Sequence, residues 1–157
     1  MKPKPRAISN TSFISVMHDI GYLNPCSEAF ERVYIPKSVH DEAEQSGMDP
    51  LKTSLKEQIR KKFIAIKECS NTALVNSLKS FLGSGEAETV ALALELKEAE
   101  FVIRDDLKAR NLFRRLDTGK RPIGTIGILK FMHTRRIIKE DLDTVRFRFK
   151  RHLFQNC

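Results

Sequence analysis

The sequence predicts an α/β fold: a three-layer α/β/α sandwich around a central, mostly parallel, five-stranded sheet. Three observations carry this. Short β-branched and aromatic runs alternate with helical patterns at roughly 25 to 35 residues per unit, the rhythm of strand–helix–strand crossovers. The strand candidates are brief and apolar throughout, as at Phe101-Val-Ile103, which suits strands covered on both faces. Residues 86–96 are rich in Ala and Leu and nearly apolar on every side, as expected of a helix buried against a sheet.

Residues 6–10 read as the first strand. Thr11 and Ser12 are candidate caps for the next helix, in which Phe13, Ile14, Met17 and Ile20 fall at helical spacing before Gly21 ends it. Residues 31–35 are the second strand, closed by Pro36, which also suits the start of a helix over 37–45. After a turn at Met48-Asp-Pro50, residues 51–62 form a charged amphipathic helix with Leu51, Leu55 and Ile59 on one face. Residues 63–66 are the third strand. A helix over 71–82 is expected to turn Leu74, Val75, Leu78 and Phe81 inward, and Gly83-Ser-Gly85 breaks it before the Ala/Leu helix. Residues 101–103 are the fourth strand, followed by a helix over 107–116. Residues 121–124 are a short fifth strand, with Gly124 or Thr125 capping a helix to about residue 136. Residues 139–154 read as a basic amphipathic helix with Leu142, Val145, Phe149 and Leu153 at three- and four-residue spacing.

At 157 residues the chain reads as a single domain, 1–157, large enough for a substantial core. No apolar run approaches the roughly 18 residues that a membrane span requires, and the basic start Met1-Lys-Pro-Lys-Pro-Arg6 has no long apolar stretch behind it. A cytoplasmic protein with no membrane partner is expected. Cys26, Cys69 and Cys157 are scattered, with no CxxC and no His at ligand spacing, so free thiols are expected and a zinc site is not. No Ser-His-Asp arrangement, phosphate-binding glycine loop or dinucleotide fingerprint is present. The net charge is +8, and it is uneven. From Arg104 onward 15 Lys/Arg stand against six Asp/Glu, while the remainder is close to neutral. Such a basic half suits a polyanion, nucleic acid first.

Carboxylates recur where strands are expected to end. Asn10 closes the first strand, Glu42 lies on the helix after the second, Glu86 opens the Ala/Leu helix, and Asp105 and Asp106 follow the fourth strand. The carboxyl ends of parallel strands converge at one mouth. Oxygen ligands gathered there suit Mg²⁺ or Mn²⁺, which lowers the pKa of a bound water. Each acid also has a purely structural reading. Asp106 is a candidate helix N-cap, Glu86 and Glu88 complement a helix dipole, and Glu42 suits a solvated helix face.

The segments Asn10-Thr-Ser12, Val33-Tyr-Ile-Pro36 with Val39-His-Asp-Glu42, Gly85-Glu-Ala-Glu88 with Ala91-Leu-Ala-Leu-Glu-Leu96, residues 101–110, and Ile123-Gly-Thr-Ile-Gly127 together resemble the PIN domain. The likeness is nearest to the prokaryotic branch that includes the VapC-type toxins, and it covers about residues 6–138. It implies a Mg²⁺- or Mn²⁺-dependent endoribonuclease, the toxin of a toxin–antitoxin pair, with RNA as substrate, a small antitoxin protein as partner and a homodimer as the assembly. The metal ligands it implies are Asn10, Glu42, Glu86, Asp105 and Asp106. Glu42, Glu86 and Asp106 are the catalytic residues, and Asp106 is preferred to Asp105 by the family's spacing. Thr11, Ser12 and Glu88 would support the ligands, and Arg104, Lys108 and Arg110 would contact the RNA backbone. Two residues depart from the family pattern. Asn10 stands where an Asp is usual, and Arg104 stands where a small hydroxyl residue is usual. A second reading is therefore a degenerate PIN domain that binds RNA or a protein without cutting. A third is an interaction module built on the C-terminal helix, whose Phe147, Phe149 and Phe154 lie among Arg146, Arg148, Lys150, Arg151 and His152, either stacking on bases or packing in the core.

Overall fold

The computed structural model describes residues 2–47 and 49–155, the last two as backbone alone. Met48 in the expected turn, the side chain of Phe154 and Cys157 lie outside the described residues. The five expected strands form, and all pair in parallel: β1 (Arg6–Ile8), β2 (Arg32–Pro36), β3 (Ile64–Lys67), β4 (Phe101–Ile103) and β5 (Arg121–Ile123), in the order β3-β2-β1-β4-β5. The order runs outward in both directions from β1, so the chain reverses its winding at the β1–β4 boundary. There Ala7 is opposite Phe101 and Ile8 is opposite Val102.

Strand periodicity divides the core into two layers, because successive side chains point to opposite faces. Ala7, Val33, Ile35 and Ile103 face one apolar cluster. It takes in α1 (Thr11–Asp19), α2 (Leu23–Ala29), α3 (Lys37–Gln45), α4 (Asp49–Arg60), α8 (Thr125–Thr134) and α9 (Leu142–Gln155). Ile8, Tyr34 and Val102 face the other cluster, built with α6 (Ser84–Glu95) and α7 (Leu107–Arg115). α5 (Thr72–Lys79) packs beside α6 through Val75, Cys69 and Ala91. The sandwich has its three layers.

The structure departs from the sequence reading at two helices. The segment between Gly21 and Phe30, to which the sequence reading assigns no element, forms α2. Leu23, Cys26 and Ala29 recur every third residue and are buried, and Pro25 sits in the first turn, where its missing N–H costs nothing. The element is only seven residues long, too short for periodicity to stand out. Phe81 was expected inward but is 68% exposed. α5 stops at Lys79, so the helical phase that would have carried Phe81 inward is lost, and Leu82 is half-buried instead. Gly21 does end α1, at φ +85°, a backbone conformation that favours glycine.

Candidate functional site

In an open parallel sheet the crevice lies outside the carboxyl ends of the strands, where the winding reverses. Here that is the end of β1 beside the end of β4. A cleft of about 550 Å³ opens at this point, lined by Asn10, Thr11, Ser12, Arg104, Asp105 and Asp106 among others. The register explains the meeting. Ile8 and Val102 are partners, so the residues two steps beyond each, Asn10 and Arg104, leave adjacent strands together.

Asn10, Arg104, Asp105 and Asp106 each have a partner that fixes their pose. Asn10, and not the expected Thr11 or Ser12, is the N-cap of α1, its side-chain oxygen accepting from the Phe13 N–H at 3.4 Å. Asp106 caps α7 by accepting from the Lys108 N–H at 2.9 Å. Asp105 reaches across the chain to α8. One oxygen accepts from the Thr125 N–H at 2.6 Å and the other from the Thr125 hydroxyl at 2.7 Å. Thr125 is fully buried, so this carboxylate satisfies the first turn of α8, whose own N-cap Gly124 has no side chain. Space at Gly124 is tight: a Cβ there would stand 3.0 Å from an Arg110 nitrogen and 3.2 Å from Asp105 Oδ1, so both side chains would have to give way slightly. Arg110 turns inward and donates from Nη1 to the carbonyls of Arg104 and Asp105, at 3.0 and 2.7 Å, which holds the turn between β4 and α7.

Arg104 links the cleft to α6. Its side chain is 11% exposed, and Nη2 donates to Glu86 Oε1 at 3.1 Å. Glu88, two residues on, accepts from the N–H and hydroxyl of Ser38, at 3.3 and 2.7 Å, and so ties α6 to the start of α3. Glu42 is exposed on α3 and does not line the cleft. Lys108 is exposed on the first turn of α7.

The structure thus brings together Asn10, Thr11, Ser12, Arg104, Asp105 and Asp106, with Glu86 joined through Arg104. Among the described residues no three His, Cys, Asp or Glu side chains stand close enough to hold a metal ion. The chemistry of the donor set gives the reason. Position 10 is a neutral amide, both Asp105 oxygens are held by Thr125, and Glu86 already has a cation. A hard divalent ion asks for several charged oxygens at once. In this arrangement the residues do not fit one.

The C-terminal helix brings residues that the sequence did not assign to the site. His152 and Leu153 line the cleft together with Leu51 from α4. Phe149 and Leu153 border Asp105, Asp106 and Gly124 from the other side. Phe149 was already expected at a core spacing, and it is buried; nothing in the spacing said which part of the core. α9 is moored to α1 through His152 and Asp19, 3.0 Å apart, and to Tyr22 through Arg148, whose Nη1 donates to the Tyr22 hydroxyl at 3.3 Å while its Nη2 pairs with Glu140 at 2.7 Å.

A family model described as PIN domain matches residues 6–154 of the chain. The match extends through α9, beyond the residues 6–138 expected from the sequence motifs. No curated protein and no solved structure matches the chain significantly.

Proposed function

Since the chain belongs to the PIN-domain family, whose members are generally nucleases, we propose that it acts on RNA at the cleft between β1 and β4, and that binding there outweighs cutting. The observation carrying this is the border of the cleft. α7, which starts beside Asp106, exposes Lys108 in its first turn. α9, which lines the cleft through His152 and Leu153, exposes Lys150 and Arg151. A single strand laid along the mouth meets cations on both sides. The net charge of +8 adds attraction at longer range. Phe147, 66% exposed on the outer side of α9, offers a ring to an unstacked base. Hydrolysis is weakened by the same residues that weaken cation binding, because fewer negative ligands activate water less.

The second reading is the full Mg²⁺- or Mn²⁺-dependent endoribonuclease, with Glu42, Glu86 and Asp106 as its acids, a small antitoxin as inhibitor and a homodimer as its assembly. Asn10 and Asp106 facing one cleft favour it. Fluorescence anisotropy with a labelled single-stranded RNA, across ionic strength, tests the leading reading. Affinity should fall steeply with salt, and Lys108→Ala or Arg151→Ala should each flatten the log–log slope by about 0.7. Affinity that hardly responds to salt would refute backbone binding. Rapid Mn²⁺-dependent cleavage that vanishes in Asp106→Asn would install the second reading in its place.

A further inference from the structure

We propose that Arg104 is a positioning residue that stands in for a divalent cation: its guanidinium holds Glu86 and keeps a metal out of the mouth. The inference rests on the reading of this cleft as the PIN site, and not on whether the cleft binds RNA.

The local charge explains the effect. Glu86, Asp105 and Asp106 contribute three carboxylates; Arg104 pairs with Glu86, while Arg110 directs its guanidinium to the backbone carbonyls of Arg104 and Asp105. Arg104 is the critical one. Its head lies in a recess, 11% exposed, where charges are screened less than at an open surface. It donates directly to Glu86, lines the cleft shared by Asn10 and Asp106, and its carbonyl is pinned by Arg110 at 3.0 Å. Its N–H is pinned as well, donating to the Ile123 carbonyl at 2.9 Å. The backbone therefore cannot swing the side chain away without disturbing β5. A divalent ion entering between Asn10 and Asp106 meets a fixed positive charge and finds Glu86 already engaged. Arg104 takes up Oε1 of Glu86, so an entering ion would be left with the second oxygen alone, beside a positive charge that repels it. Asn10 compounds the loss by supplying a carbonyl oxygen without charge.

Mn²⁺ titration of the full chain, followed by calorimetry and by the thermal midpoint, tests this without any RNA. The wild type should bind Mn²⁺ weakly, with a midpoint that millimolar Mn²⁺ hardly moves. Arg104→Ser and the longer neutral Arg104→Gln should each bind at least tenfold more tightly and gain thermal stability with Mn²⁺, as ligand linkage requires. Arg104→Lys keeps the charge and should stay weak. Adding Glu86→Gln to Arg104→Gln should abolish the gain. If both neutral variants keep the wild-type circular dichroism and bind Mn²⁺ no better than the wild type, the proposal is wrong. It is also wrong if Arg104→Lys gains as much as Arg104→Gln, since charge would then not be the cause. Should one neutral variant fail to fold, the other decides. The salt dependence of RNA binding is read separately, so either reading can fail while the other stands.

Discussion

Replacing Asp105 by Ala should separate a structural acid from a functional one. In the native protein this carboxylate accepts two hydrogen bonds from Thr125, at 2.6 and 2.7 Å, and Thr125 has no exposed surface. Truncation leaves a buried N–H and a buried hydroxyl without their acceptor. An orphaned buried group costs about 1–3 kcal/mol. A carboxylate at a helix N-terminus contributes about 0.3–1 kcal/mol more through the dipole of α8. The terms overlap, so the expected loss is about 2–4 kcal/mol. For a domain of this size that lowers the thermal midpoint by roughly 5–15 °C. Asp106→Ala removes only an exposed cap on the Lys108 N–H, worth about 1 kcal/mol. Thr125→Val keeps the N–H bond and drops the hydroxyl, for about 1 kcal/mol. In the Asp105→Ala background the same change should cost much less, since the hydroxyl has already lost its partner. Urea unfolding of the four proteins gives the cycle, provided the m-values agree. A loss below about 0.5 kcal/mol for Asp105→Ala, well under the orphaned-group cost, would show that Asp105 does not hold α8, and would return it to the list of acids available for chemistry.

The contact between α9 and the Tyr22 region should make stability fall at both ends of the pH scale. Hydrogen bonds from the Tyr22 hydroxyl and from Arg148, with the charge of Arg148, hold Glu140 below the usual carboxylate range. Its contribution is present above the unfolded pKa of about 4.3 and is lost as pH falls through the lower folded value. Burial first, then Glu140, push the Tyr22 phenol up to about 12. That contribution is complete below the unfolded value of about 10 and disappears as pH rises towards 12. In Glu140→Gln the acid-side decline should shrink on a plot of unfolding free energy against pH, and an unchanged curve would rule the contact out. Phe149→Ala should cost about 3–5 kcal/mol as a buried aromatic truncation, because Phe149 is 7% exposed within the larger core cluster. Hydrogen exchange should then rise first in α9, and protection retained there would mean that Phe149 does not anchor this helix.

The sequence by itself determined the architecture and the place of the mouth. Apolar runs such as Phe101-Val-Ile103 could be stable only between two covering layers, and the crossover spacing made the strands parallel. The rule for open parallel sheets then put Asn10 and Arg104–Asp106 at one end, and the register of Ile8 with Val102 bears this out. Local chemistry was legible too: Asp106 is the N-cap that its position suggested. Only the tertiary structure decided partnership. That Asp105 serves Thr125, that Arg104 serves Glu86, and that α9 walls the cleft are contacts between residues 20, 18 and about 50 positions apart. Periodicity reports which face of an element is buried, because burial follows from the element's own repeat. It says nothing of which distant side chain meets a given charge, since that depends on strand order and helix packing, which no single segment encodes.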